Sequence, residues 1–87
     1  MSTLERLQSM LARDFDLQPA ALLPEATLES LDIDSLRMIE ILFTVEETFG
    51  ITVGAEPAEI RARVRTLGEL AAYVDELVAA RPEAAAP

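Results

Sequence analysis

The side chains able to do chemistry in this sequence are few, and they gather around one stretch, Leu31-Asp32-Ile33-Asp34-Ser35-Leu36, with Arg37 just beyond it. Histidine, cysteine and lysine are all absent. Their absence removes the commonest general base, the thiol nucleophile, the Schiff-base amine and most zinc ligands. What remains is a set of carboxylates, hydroxyls and arginines. A hydroxyl directly after a carboxylate at the start of a helix is first of all an N-cap, because both side chains accept hydrogen bonds from the free amides of the first turn. Paired carboxylates can also run acid–base chemistry, but only in a pocket that separates their proton affinities. A helical chain of 87 residues has little interior for such a pocket, so no catalytic residue and no metal site is expected.

The element that positions Ser35 is the apolar, acid-edged run behind it, predicted as a helix over 35–49 and stopped by Gly50 in a left-handed conformation. Its apolar side chains cover an arc of roughly 200°, wider than packing on one side requires. Two stripes result. Met38, Ile41, Leu42, Val45 and Phe49 suit a core, while Leu36, Ile39 and Phe43 run beside Glu40 and Glu47 on the side where Ser35 lies.

Around it, Ser2 and Glu5 form a capping box for a first helix that ends near Asp16, with Leu4, Leu7, Leu11 and Phe15 on the core face and Met10 at the core edge. Residues 17–30 contain Pro19 and Pro24 and have no sustained period, so they read as a long ordered loop. Leu22, Leu23 and Leu28 pin it, and a short helical turn starts at Thr27. Ile51-Thr52-Val53 has no partner strand and reads as a loop. Glu56-Pro57 starts a short helix that buries Ile60 and Val64, and its Arg61 and Arg65 are expected to pair with Glu56, Glu59 or Glu69 at the surface. Thr66 and Glu69 form a second capping box for a last helix with its apolar stripe running from Leu67 to Val78, ended by Arg81-Pro82. The expected fold is all-α: a small four-helix bundle, three long helices and one short, with a long loop between the first two.

Asp34-Ser35-Leu36, then Ile39-Glu40, Leu42, Val45-Glu46-Glu47, Phe49 and Ile51, resemble the modification site and second helix of acyl carrier proteins. The likeness extends in helix order and spacing over nearly the whole chain. It implies that residues 1–81 form a carrier domain followed by a disordered tail, 82–87. It also implies that Ser35 carries a covalent 4′-phosphopantetheine arm holding acyl groups as thioesters, and that Asp34 helps present the serine. The arm would come from coenzyme A through a carrier protein phosphopantetheinyl transferase. Acyl-loading, condensing and tailoring enzymes of fatty-acid, polyketide or related synthesis would dock through basic patches on Leu36, Arg37, Ile39, Glu40, Phe43, Glu46 and Glu47. The protein itself would be a carrier and not an enzyme. Two positions depart from the family's pattern: Asp32 stands where many carriers have glycine, and Arg37 where fatty-acid carriers usually have an acid. The second points to a specialised carrier, because a reversed charge beside the arm changes docking. The arginines at 61, 63 and 65 are also unusual in a helix that is typically acidic in the family.

Charge and hydropathy agree with this. Sixteen acidic against seven basic residues give a net charge of −9, which opposes binding to nucleic acid or anionic membranes and favours basic protein partners. No apolar run is long enough to span a bilayer and no signal peptide is legible, so a cytoplasmic, monomeric protein is expected. The alternative is an unmodified helical interaction module that docks through Leu36, Ile39 and Phe43, with Ser35 only a cap.

Overall fold

A computed structural model describes residues 2–80. Among them it shows four α-helices and no strand: α1 (Thr3–Asp14), α2 (Ser35–Phe49), α3 (Pro57–Arg63) and α4 (Leu67–Ala80). The expected helix end at Arg81-Pro82 and the tail 82–87 lie outside the described residues.

Local signals account for the helix ends. Ser2 Oγ accepts from the Glu5 amide at 3.1 Å while Glu5 Oε1 accepts from the Ser2 amide at 2.9 Å, the reciprocal capping box. Helix α1 stops at Asp14, slightly before the expected point, because Asp16 turns left-handed (φ 57°) and lets the Leu17 amide reach back to the Leu11 carbonyl at 3.4 Å. Gly50 ends α2 with φ 65°. Arg6 reaches across from α1 to the same end, donating to the Thr48 carbonyl at 3.0 Å with its guanidinium 4.3 Å from the Phe49 ring centre. A cation there satisfies an otherwise unpaired carbonyl and opposes the negative end of the helix dipole.

Helix α1 packs on α4, and α2 on α3. Thr3 on α1 donates to the Asp75 carboxylate on α4. Among the described residues, every buried one is apolar. Met10, expected at the core edge, is fully buried at 1% exposure. Its unbranched side chain fills space that the Leu7–Leu11 stripe alone leaves open. Leu23 corrects the loop reading in the other direction. Leu22 and Leu28 are buried, but Leu23 stays 49% exposed, because the Pro19–Ala21 3₁₀ turn directs only one of the adjacent leucines inward.

The long loop is held by contacts that no local pattern announces. The Leu28 amide donates to the Arg65 carbonyl at 2.8 Å, Leu67 to Ala26 at 2.9 Å and Gly68 to Pro24 at 2.8 Å, forming a single antiparallel bridge between Thr27 and Thr66. Gly68 permits this approach, since a Cβ there would lie 3.1 Å from the Pro24 oxygen. A brief helical turn does begin at Thr27, whose hydroxyl accepts from the Ser30 amide at 3.0 Å.

Candidate functional site

Ser35 sits at the junction of that loop and α2, between two anchors. On its N-terminal side Leu31 and Ile33 are buried, and the Ile33 amide donates to the Leu28 carbonyl at 2.9 Å. On its C-terminal side Met38 is buried and its amide donates to the Asp34 carbonyl at 2.9 Å. Between the buried Leu31 and Ile33 the chain turns at Asp32 with φ 60°, a left-handed conformation that glycine adopts freely and that aspartate tolerates better than most other residues. Aspartate therefore holds here a backbone conformation that glycine also adopts.

Asp34 is the N-cap of α2: its backbone is extended and its Oδ1 accepts from the Arg37 amide at 2.8 Å. Ser35 is the first residue of the helix, exposed, and its hydroxyl makes no hydrogen bond among the described residues. The two adjacent side chains therefore divide the work, one capping the helix and the other left free.

The second stripe of α2 is open to solvent. Leu36 is 72% exposed, Ile39 51% and Phe43 63%. Arg37 lies beside it, 3.9 Å from Glu40 and 5.7 Å from the Phe15 ring centre, so its charge is partly engaged within the protein. Glu40 and Glu47 are exposed. Glu46 differs from them: its Oε2 accepts from the Val53 amide at 2.7 Å and ties down the loop after α2. Ile39 and Phe43 also border a cleft of about 220 Å³ whose far wall is Val53, Ala55 and Pro57. The sequence marks Val53 only as part of a loop and Pro57 only as a helix start, and gives no sign that with Ala55 they wall a cleft.

The arginines of α3 do not form the expected surface pairs. The Glu59 carboxylate accepts from the Glu56 amide at 3.4 Å, and Glu69 accepts from the Arg65 and Thr66 amides at 2.6 and 3.2 Å. With those acids occupied by backbone, the ion pairs among the described residues are Arg13–Asp14 and Arg37–Glu40. Arg63 stacks 5.9 Å from the Tyr73 ring centre, and Arg61 Nε donates to the Ile33 carbonyl at 2.6 Å.

The family model described as the phosphopantetheine attachment site matches residues 5–74, a span that contains the whole of this arrangement. The meromycolate extension acyl carrier protein of Mycolicibacterium aurum is 39% identical over 71 residues, covering 80% of this chain and 70% of its own length. The protein of the same name from Mycobacterium tuberculosis (strain ATCC 25618 / H37Rv) is 39% identical over 70 residues, covering 79% of this chain and 58% of its own. Acyl carrier protein 2 of Ralstonia nicotianae is 36% identical over 78 residues, covering 88% of this chain and 93% of its own.

Proposed function

This chain belongs to the phosphopantetheine-attachment family of acyl carrier proteins, and we propose that Ser35 is the residue on which its arm is held. Members of the family are carriers and not enzymes, with covalent phosphopantetheine as their prosthetic group. The observation that carries the assignment is the Ser35 hydroxyl, exposed and free of hydrogen bonds at the first position of α2 while Asp34 does the capping.

The residues present suit such a group. A phosphodiester on Ser35 Oγ stands at the N-terminus of a 15-residue helix, where the helix dipole and the free amides of the first turn favour an anion. The arm supplies a thiol that holds acyl groups as thioesters. Ser35 would contribute the nucleophilic oxygen that bonds to the phosphorus bearing the arm as the pyrophosphate bond of coenzyme A breaks and adenosine 3′,5′-bisphosphate leaves, the serine proton passing to a base of the transferase, which also holds the metal. Asp34 keeps the helix start closed so that the hydroxyl points outward. Tethering then makes each later acyl transfer a local event at high effective concentration.

The docking surface in this reading is Leu36, Ile39 and Phe43 with Glu40 and Glu47 at its rim. The exposed apolar stripe beside acids supports partners with an apolar contact set in a basic patch. Glu46 contributes chiefly by fixing the Val53 loop, and Arg37 by reversing charge next to the serine. The acyl pathway belongs to fatty-acid, polyketide or related synthesis. Meromycolate extension, the role in the names of the mycobacterial relatives, is one pathway to test. No helix among the described residues is long and apolar enough to cross a membrane.

The test is intact mass after incubation with coenzyme A and a broad-specificity carrier protein transferase. One added arm, absent from Ser35→Ala with the fold retained, is the expected result, and Ser2, Ser9 and Ser30 stay unmodified. An added mass on a peptide lacking Ser35 would overturn the assignment. No added mass at all would favour the unmodified interaction module.

A further inference from the structure

We infer that Arg61 is a positioning residue for Ser35, acting through the Ile33 carbonyl to couple α3 to the turn that presents the serine. The inference rests on the attachment role proposed for Ser35 and adds a residue that neither the family match nor the motif assigns.

The turn before Ser35 carries a backbone acceptor with no partner in the helix. Asp34 is the N-cap, so its carbonyl accepts the first bond of α2, and the Ile33 carbonyl, one residue earlier, falls outside the helix ladder. Ile33 itself has no exposed surface, and a buried carbonyl left unpaired is costly. The donor comes from 28 residues away in sequence: Arg61 Nε, at 2.6 Å. This is a charge-assisted bond in a partly buried setting, the stronger kind. It fixes the peptide unit that joins Ile33 to Asp34, immediately before the serine. Arg61 also closes one side of a shallow cleft whose other walls are Glu29, Asp32, Ile33 and Asp34, the outer surface of the same turn.

The turn has reason to need such a tie. Asp32 holds a left-handed conformation on one side of Ile33, and on the other side Ser35 and Leu36 are exposed, so apolar packing restrains the segment only at Ile33. Losing the bond lets the turn sample conformations in which Ser35 is not aligned for the transferase, and the apparent rate falls with the competent fraction. Arg63 on α3 and Arg65 just beyond it make no such contact, which separates Arg61 from the general basic character of this stretch.

Two substitutions isolate the bond. Arg61→Gln places an amide nitrogen at the same number of bonds from the backbone as Nε and removes the charge. Arg61→Met places a methyl group there and removes both. In the full chain, with coenzyme A and a broad-specificity transferase, Arg61→Met is expected to lower kcat/KM for arm transfer about threefold to tenfold, the scale of one hydrogen bond. Arg61→Gln should recover most of it and Arg63→Ala should change nothing. In the unmodified protein, exchange of the hydrogen-bonded amides that flank the turn, Ile33, Arg37 and Met38, should speed up in Arg61→Met and not in Arg61→Gln, with α1 and α4 unaffected. If Arg61→Met does not fold, Arg61→Lys, which keeps the charge and has a methylene at the Nε place, should show the Met behaviour.

Equal slowing in Gln and Met would mean that the charge acts on the partner and would overturn the inference. So would transfer and exchange rates at the wild-type level in all variants, or faster exchange spread over every helix. If wild-type protein takes no arm, the assignment of Ser35 fails, and the exchange comparison alone decides the coupling of Arg61 to the turn.

Discussion

Phe43 and Phe49 lie on the same helix six residues apart and meet opposite surroundings, Phe43 63% exposed and Phe49 5% exposed under the Arg6 guanidinium. One helix therefore serves two surfaces. The wide apolar arc of α2 is a core seam on one side and an uncovered stripe on the other.

Truncating the two rings separates these roles. Phe49→Ala is expected to cost about 3–5 kcal/mol of unfolding free energy, the range for a buried phenylalanine. Phe43→Ala should cost less than about 1 kcal/mol, because few contacts are lost, while weakening arm loading and partner turnover. Urea denaturation of both variants, with loading rates for Phe43→Ala, checks this. Equal destabilisation would mean that the stripe is not a docking surface.

The left-handed turn at Asp32 (φ 60°) makes a prediction about substitutions there. Asp32→Gly should leave stability within about 1 kcal/mol of wild type, since glycine adopts this backbone freely but loses more entropy on folding. Asp32→Val should destabilise by about 1–2 kcal/mol or more, because a β-branched residue at positive φ crowds its own carbonyl. Thermal melts of the pair decide the matter, and the order of the two is the informative result.

A net charge of −9 on a small domain should make self-repulsion a sizeable part of a small stability. Raising the salt from low to moderate ionic strength, or adding divalent cations, should raise Tm as the repulsion is screened. A flat or falling Tm would contradict this.

Glu5 gives a pH-dependent signal. The Ser2 amide, and after it the Ser2 hydroxyl, hold its carboxyl below the usual 4.5. A depressed carboxyl contributes stability that is fully present above its unfolded value and is lost as the pH falls through the folded one. Glu5→Ala should therefore melt below wild type at neutral pH, and the gap should close as the pH is taken below the depressed value. A gap that stayed constant into acid would mean that the carboxylate is not the active part of the cap.

Features that depend on neighbours within about one turn are legible in the sequence. The capping boxes at Ser2–Glu5 and Thr66–Glu69, the stop at Gly50, the buried stripe from Met38 to Phe49 and the exposed stripe from Leu36 to Phe43 all follow from spacing, because cap and period are local properties of a helix. So does the Asp34-Ser35-Leu36 pattern that carries the family resemblance. Which of Leu22 and Leu23 turns inward, how deeply Met10 is buried and the bridge from Thr27 to Thr66 emerge from the packed chain. It alone directed Arg61 away from the acids of its own helix to the Ile33 carbonyl. Those outcomes depend on which unpaired backbone groups the folded chain brings within reach, and on acids already taken by capping amides. Neither can be read from a window of sequence, since the partners are separated by 28 residues in one case and by 39, from Thr27 to Thr66, in the other.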